Sequence, residues 1–333
     1  MRIALDAMGG DRAPVGIVDG AYEAANEASG RIEVVLVGKR EVIERYVAER
    51  RLHAPNCEIV DAPETVEMSE SPATAIRRKR NSSIQVAMNL HREGNVQAVV
   101  SAGNTGAVVA SSLLSLGRIP GIERPAIAIY VPARDGGTVL LDGGANSDCD
   151  PTNLLQFAFM GSVYAETFLG KREPRIGLLS IGEERSKGNE LTRAAYGLLE
   201  KGGLNFVGNV EGRDVFAGKV DVVVTDGFVG NVVLKFTESI IYYITTLISD
   251  EVGKHAFAKL GAAMMKPVFR GIKRKLDYAE YGGAPLLGVG GVVIISHGKS
   301  SSRAIKNAIL AAERCVAGGV NERIRIKAEG ART

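Results

Sequence analysis

At 333 residues the chain is long enough for one large α/β domain or two smaller ones, and 45% hydrophobic with 24% charged residues is the balance of a soluble globular protein. Its formal net charge of +3 is too small to imply nucleic acid by itself, and the three scattered cysteines, Cys57, Cys149 and Cys315, form no CxxC, which excludes a zinc ribbon or a thioredoxin-type pair. Forty glycines with sparse aromatics and no Trp point to many tight strand-to-helix turns.

From the N-terminus, Arg2–Asp6 enters a strand pattern with no signal peptide ahead of it. Ile32–Val37, Cys57–Asp61, Val96–Ser101, Ala126–Val131, Thr138–Asp142, Arg175–Ile181, Val220–Thr225 and Val292–Ser296 read as further strands. Helical patterns lie between them, clearest at Val15–Ala28, Glu41–Arg50, Thr105–Leu116, Pro151–Phe168, Glu190–Lys201, Asn231–Ile248 and Ser301–Val316. This alternation predicts a three-layer α/β/α protein with a mainly parallel sheet covered on both faces. No repeat or linker divides the chain, so one intertwined unit over 1–333 is expected, with a cleft between two lobes. The apolar stretch Ile240–Ile248 is broken by Tyr and Thr and flanked by Glu238 and Asp250, so no spanning helix is expected. With unpaired thiols, the expectation is a cytoplasmic protein.

Strands run into small, polar, Gly-rich turns at Asp6–Asp11, Ser101–Gly106, Asp142–Asn146, Ile181–Glu184, Thr225–Asn231 and Ser296–Ser300. In a doubly wound sheet the carboxyl ends of the strands line the ligand crevice. Each such turn also offers backbone N–H groups at a helix N-terminus, a natural anion site. One turn of this kind belongs to any α/β protein; six in one chain point to a large anionic ligand.

Several familiar chemistries lack their motifs. There is no GxGxxG, and Gly298-Lys299-Ser300 imitates the end of a P-loop whose first glycine would fall at Val293. Neither HExxH nor GxSxG occurs. His53, His91, His255 and His297 are too scattered for a metal cluster. No metal, cofactor or Ser–His–Asp triad is therefore expected, and the site must act by positioning and electrostatics.

At the turns the sequence resembles the bacterial phosphate acyltransferase family. The resemblance rests on the opening Arg2-Ile3-Ala4-Leu5-Asp6-Ala7-Met8-Gly9-Gly10-Asp11, on Ala75-Ile76-Arg77-Arg78-Lys79-Arg80-Asn81-Ser82-Ser83, on Ser101-Ala102-Gly103-Asn104-Thr105-Gly106-Ala107 and on Gly117-Arg118-Ile119. It continues through Asp142-Gly143-Gly144-Ala145-Asn146, Gly182-Glu183, Lys187-Gly188-Asn189-Glu190, Thr225-Asp226-Gly227-Phe228 with Gly230-Asn231, Tyr281-Gly282-Gly283-Ala284 and His297-Gly298, in collinear order. Arg12 departs from it, standing where a His is expected. The resemblance implies transfer of a fatty acyl group from acyl carrier protein to inorganic phosphate, giving the acyl phosphate used for the first acylation of glycerol 3-phosphate. It also implies a homodimer and a fold similar to isocitrate and isopropylmalate dehydrogenases and to phosphotransacetylase.

The chemistry suits the residues. Phosphate at neutral pH is largely a dianion, with a second pKa of roughly 6, and a leaving thiolate has a pKa of about 8.5. No strong base is needed; the site must bind phosphate, align it and stabilise the oxyanion. Lys187 is a candidate to neutralise phosphate or the oxyanion, and His297 to protonate the thiolate or bind phosphate. Asn104, Gly103 and Thr105 would present a helix N-terminus, with Asn104 alternatively a plain N-cap. Asp6, Asp142, Asn146, Asp226 and Asn231 are substrate-orienting candidates, with helix capping the plain alternative for the two Asp–Asn pairs. Cys149 lies near a site turn, yet direct attack by phosphate needs no acyl-accepting thiol.

Two basic stretches remain. Arg77, Arg78, Lys79 and Arg80 form a run that either docks the acidic carrier protein or is a solvated helix end. Val252–Leu276 carries seven Lys or Arg and no acid. Stepped at about 100° per residue, Phe257, Leu260, Met264 and Val268 fall on one side and Lys259, Lys266, Arg270 and Lys273 on the other, with Pro267 expected to divide the helix after Lys266. This reads as a basic amphipathic segment on the inner face of the cell membrane, or as part of a core or dimer interface. The rival functions are a phosphotransacetylase-like enzyme using acyl-coenzyme A, and a non-catalytic basic scaffold for membranes or nucleic acid. The shortage of aromatic stacking platforms weighs against nucleic acid.

Overall fold

The computed structural model describes residues 1–134, 136–276 and 281–330, with the backbone alone for Ala256 and 273–276. Its first half runs β1 Arg2–Asp6, α1 Val15–Glu27, β2 Glu33–Gly38, α2 Arg40–Arg50, β3 Cys57–Asp61, α3 Pro72–Arg78, α4 Ser83–Arg92, β4 Ala98–Ser101, α5 Thr105–Leu116, β5 Ala126–Ile127, β6 Ile129–Ala133 and β7 Gly136–Leu141. There follow α6 Pro151–Phe168, β8 Ile176–Leu179, α7 Glu190–Lys201, β9 Phe206–Val210, α8 Gly212–Ala217, β10 Val222–Val224, α9 Gly227–Lys254, α10 Ala256–Met264, α11 Lys266–Leu276, β11 Ala284–Leu287, β12 Val292–Ile295, α12 Ser302–Ala317 and α13 Val320–Gly330.

The strands form two mainly parallel sheets instead of one. The first has the order β3-β2-β1-β4-β12-β11-β5 and the second β6-β7-β10-β8-β9; β11 runs antiparallel to both neighbours, as β6 does to β7. The apolar run expected as one strand at Ala126–Val131 is the switch. Ala128 N bonds Pro285 O at 3.0 Å, and the chain passes there from the edge of one sheet to the edge of the other.

Successive residues in the inner strands face opposite layers, which is why these strands are apolar throughout. Ile3 and Leu5 pack with Ile17 and Val18 of α1 and Ile305 and Ile309 of α12, whereas Ala4 turns to the side of Ile84 and Met88 of α4 and Val108 of α5. The first of these cores continues without a break under the second sheet, through Val139, Leu141, Ile176 and Val222 to Leu154 and Phe157 of α6.

The helix expected at Asn231–Ile248 is longer and lies apart from this core. Only Gly227 and Gly230 of α9 are buried. At 28 residues, α9 is long and apolar enough, by length and composition alone, to cross a membrane. It leads into α10 and α11, which divide at Met265, one residue earlier than Pro267 suggested, so that the proline sits in the first turn of α11 where its missing N–H is tolerated.

Candidate active site

Strands β1, β4 and β12 are parallel neighbours, so their turns emerge side by side. Asp6, 3% exposed, accepts hydrogen bonds from Ser101 Oγ at 2.7 Å and Met8 N at 3.2 Å, and Ser101 Oγ accepts from Gly103 N at 3.1 Å. A Cβ on Gly9 would lie 2.5 Å from Asp6 Oδ2 and 2.8 Å from Gly103 N; its absence lets the first two turns close on the carboxylate. Burial pushes the Asp6 carboxyl above its ordinary range, against donors that include Ser83, Ser101 and Met8. The third turn joins through Asp11 N, which donates to Gly298 O at 2.8 Å. Arg12, the departure from the family pattern, stands exposed beside it.

Asn104 is the helix cap that the plainer reading of it describes. Its Oδ1 accepts from Ala107 N at 3.1 Å, while its Nδ2 donates to Met68 O at 2.9 Å and Glu70 O at 3.0 Å. Both ends of the amide are thus spent on fixing α5 and the loop before α3.

Strands β7, β10 and β8 are likewise parallel neighbours in the second sheet. Asp142, 0% exposed, accepts from the N–H groups of Ile127, Gly144, Ala145 and Asn146 and from Asn146 Nδ2, at 2.8–3.1 Å. Burial pushes this carboxyl up as well, with the Ala145, Ile127 and Asn146 donors pulling it down. Asn146 also donates to Pro125 O at 2.7 Å. Asp226 caps α9 by accepting from Val229 N at 2.9 Å, and Gly227 N donates to Asn146 O at 2.8 Å. The first turn of α9 therefore rests on the Asp142 turn, and glycines at 227 and 230 make the approach possible, since a Cβ at either would strike that turn.

The residues singled out from sequence thus fall into two groups. Asp6, Gly103, Asn104, Asp142, Asn146 and Asp226 hold the turns together, all of them buried except the partly exposed Asn104. Thr105, Lys187, Asn231 and His297 are exposed at the strand ends: Thr105 and His297 on the neighbouring β4 and β12 turns, Lys187 and Asn231 on the neighbouring β8 and β10 turns. His297 Nδ1 accepts from Lys299 N at 3.1 Å, which in the neutral ring leaves the proton on Nε2. Burial pushes the Cys149 thiol up to about 11, with the nearby Asp142 and Asp226 charges adding to the shift, which favours the thiol form at neutral pH. Among the described residues no group of three or more His, Cys, Asp or Glu could hold a metal.

Sequence reasoning passed over a groove of about 840 Å³ between α5 and the loop 117–125, with Ala145 and Asn146 in its wall. The available signal was the loop's crowding of Gly117, Pro120, Gly121 and Pro125, which fixes an irregular backbone against a helix.

Two mainly parallel sheets that gather Gly-rich turns at their strand ends define an α/β protein of the phosphotransacetylase architecture. EutD phosphotransacetylase from Staphylococcus aureus matches with a TM-score of 0.61 at 17% identity, covering 94% of each chain. A 4-hydroxythreonine-4-phosphate dehydrogenase from Klebsiella pneumoniae matches with a TM-score of 0.53 at 16% identity, over 95% of this chain and 98% of that one. At such identities the likeness is one of fold. Residues 1–323 match the family described as fatty acid synthesis protein, and the phosphate acyltransferase of Heliobacterium modesticaldum is 56% identical over 317 residues, 95% of this chain and 94% of that one. The chain belongs to this family of bacterial phosphate acyltransferases, and it is an acyltransferase.

Proposed function

We propose that the chain transfers a fatty acyl group from acyl carrier protein to inorganic phosphate, releasing acyl phosphate for phospholipid synthesis. The observation that carries this reading is the sorting of charge at the strand ends. Asp6, Asp142 and Asp226 are spent on backbone N–H and hydroxyl donors, while Thr105, Lys187, Asn231 and His297 stay exposed. Turning these three carboxylates inward beside outward donors suits an anion that must approach a carbonyl; of the exposed acids in the same turns, Asp11, Glu183 and Glu184, Glu183 is paired with Arg213 and Lys219.

A phosphate oxygen attacks the thioester carbon, the carbonyl oxygen takes up the negative charge, and the C–S bond breaks as the tetrahedral species collapses. Lys187 balances the charge on phosphate and oxyanion; Thr105 and Asn231 align phosphate; His297 Nε2–H donates a hydrogen bond to the departing sulfur, and the proton that hydrogen phosphate sheds on becoming acyl phosphate ends on the thiolate. Because phosphate enters as a dianion, no residue has to act as a strong base.

The exposed Arg77, Arg78 and Arg80 are the docking cations for the acidic carrier protein; Lys79 is turned inward to Glu70 and Thr65 O. The arm of α9, α10 and α11 meets a second copy of the chain along its apolar length. At its tip, Phe257, 91% exposed, and Leu260 enter the inner face of the cell membrane, with Lys259, Lys266 and Arg270 on anionic headgroups. Lys273 belongs to the same basic face by sequence, and its side chain lies outside the described residues. Vesicle co-sedimentation that Phe257→Glu and Leu260→Glu leave untouched would end the membrane part of the proposal.

The test of the reaction is incubation with palmitoyl-acyl carrier protein and phosphate, with hydroxylamine trapping the product as a hydroxamate. Phosphate-dependent hydroxamate matched by free carrier protein is the expected result. Product from acetyl-coenzyme A, and none from the carrier-protein thioester, would replace this reading by a phosphotransacetylase-like one.

A further inference from the structure

The geometry points to the groove beside α5 as the seat of the acyl chain, an assignment that rests on the acyl-transfer reading above. Thr105, Val109 and Leu113 are spaced i, i+4, i+8 and so share one face of α5. The face begins at the exposed Thr105 of the phosphate-facing turn and continues as apolar surface: Val109 and Leu113 are half-buried and line the groove. Eight residues of α-helix give that stripe a length of about 12 Å. Ile119 and Ile122, each 4% exposed, form the floor, and Ala145, from the turn that Asp142 organises, stands in the opposite wall.

The occupant follows from where the groove leads and what covers its surface. Its helical wall, Val109 and Leu113, continues the face of α5 that carries Thr105; Ala145 and Asn146 of the second sheet's turn stand in another wall, and aliphatic side chains line it together with polar ones. The volume of about 840 Å³ is within the range of ligand sites of small-molecule size. Its polar lining is Arg118, Glu123 and Arg124, all exposed, and the buried Asn146. A chain of methylenes is the part of the proposed substrate that needs such a surface. Each methylene buried there strengthens binding by about fourfold, so the groove makes the enzyme prefer long acyl donors and sets their length.

The test fills the groove. Leu113→Trp and Val109→Trp enlarge half-exposed positions and leave the buried floor intact, and Leu114→Trp, at a position 71% exposed on the same helix and outside the groove, is the control. Each variant is assayed with butyryl-, octanoyl- and palmitoyl-acyl carrier protein, and separately for binding of a photoreactive palmitate analogue whose attachment is mapped by peptide mass spectrometry. The expected result is a loss of at least about tenfold in kcat/KM for palmitoyl donors with butyryl donors nearly unchanged, normal rates for Leu114→Trp, and label on the wild-type peptides around residues 109–122. Equal losses at every chain length, or label elsewhere, overturn the assignment. So does a shift in oligomeric state with an unchanged chain-length profile, which would mean that a second copy of the chain covers the groove. Wild-type protein that forms no acyl phosphate from any donor would refute the functional reading instead, and the labelling pattern would still decide the groove.

Discussion

Replacing Gly227 by Ala tests whether the contact between α9 and the Asp142 turn builds the site. A Cβ at 227 would lie 2.5 Å from Asn146 O, 2.6 Å from Asp142 Oδ2 and 2.8 Å from Asn146 N. Carbon contacts are comfortable only at about 3.5–4.0 Å, so the start of α9 must withdraw by about 1 Å. None of the three atoms can yield, because two are backbone and the third belongs to a carboxylate held by four backbone N–H groups. Withdrawal also stretches the 2.8 Å bond from Gly227 N to Asn146 O. Overpacking of this kind costs about 1–3 kcal/mol, partly offset by the roughly 0.5–1 kcal/mol that Ala gains over Gly in a helix. The catalytic effect should be larger than the thermal one: Asn231 is one helical turn further on, and a misplacement of about 1 Å costs on the order of a hundredfold. The matched control is Gly253→Ala in the same helix, where nothing stands within 4 Å of the added carbon and the substitution should be neutral or stabilising. Both variants are compared by thermal unfolding and by hydroxamate formation. A Gly227→Ala protein that melts and turns over like the wild type would refute the claim that this contact positions the site.

Lys187→Met should lower kcat/KM with respect to phosphate by about 10²–10³ while leaving the melting temperature within error, since the side chain is exposed and its role is electrostatic. Cys149→Ala should keep activity within about twofold, and the wild-type thiol should alkylate far more slowly than a free cysteine at neutral pH, as a group pushed up to about 11 requires. Asp221 is a stability device: burial raises its carboxyl, but Arg175 at 3.0 Å, the Arg175 N–H at 2.8 Å and Lys171 at 3.6 Å outweigh that and hold it below the ordinary carboxylate range. A depressed pKa contributes stability above the unfolded value of about 3.9 and loses it as pH falls through the folded value. Asp221→Asn should therefore cost about 1–2 kcal/mol at pH 7, discounted for the half-exposed Arg175, and the gap to wild type in urea unfolding should close on acidification below about pH 4.

What could be read from the sequence divides along physical lines. Strands such as Val34–Val37 and Val222–Val224 are buried on both faces, and a continuous apolar, Val-rich run bounded by turns can be little else. Phe206–Val210 was passed over because Gly208, at φ +99°, and Asn209 interrupt its pattern beside an irregularity in its pairing with β8. Ala284–Leu287 is four residues long and contains a proline, and α3 is a seven-residue helix whose last turn is the Arg77–Arg78 start of the basic run.

The turns themselves were legible, because glycine and small polar residues after a strand announce a backbone that must bend tightly. Several of the roles inside them were not, because they are decided in part by a partner distant in sequence. Asn104 is spent on carbonyls 36 and 34 residues earlier, Asp142 on an N–H 15 residues earlier, and Asn146 on a carbonyl 21 residues earlier. An Asp at a strand end looks the same whether it faces substrate or its own backbone; only the fold distinguishes them. The distinction bears on chemistry, since every carboxylate turned inward removes a repulsive charge from the approach of phosphate. In this protein, then, Asp6, Asp142 and Asp226 act by being withdrawn, and the cations and amides they leave exposed are where loss of charge should be felt in the rate and not in the fold.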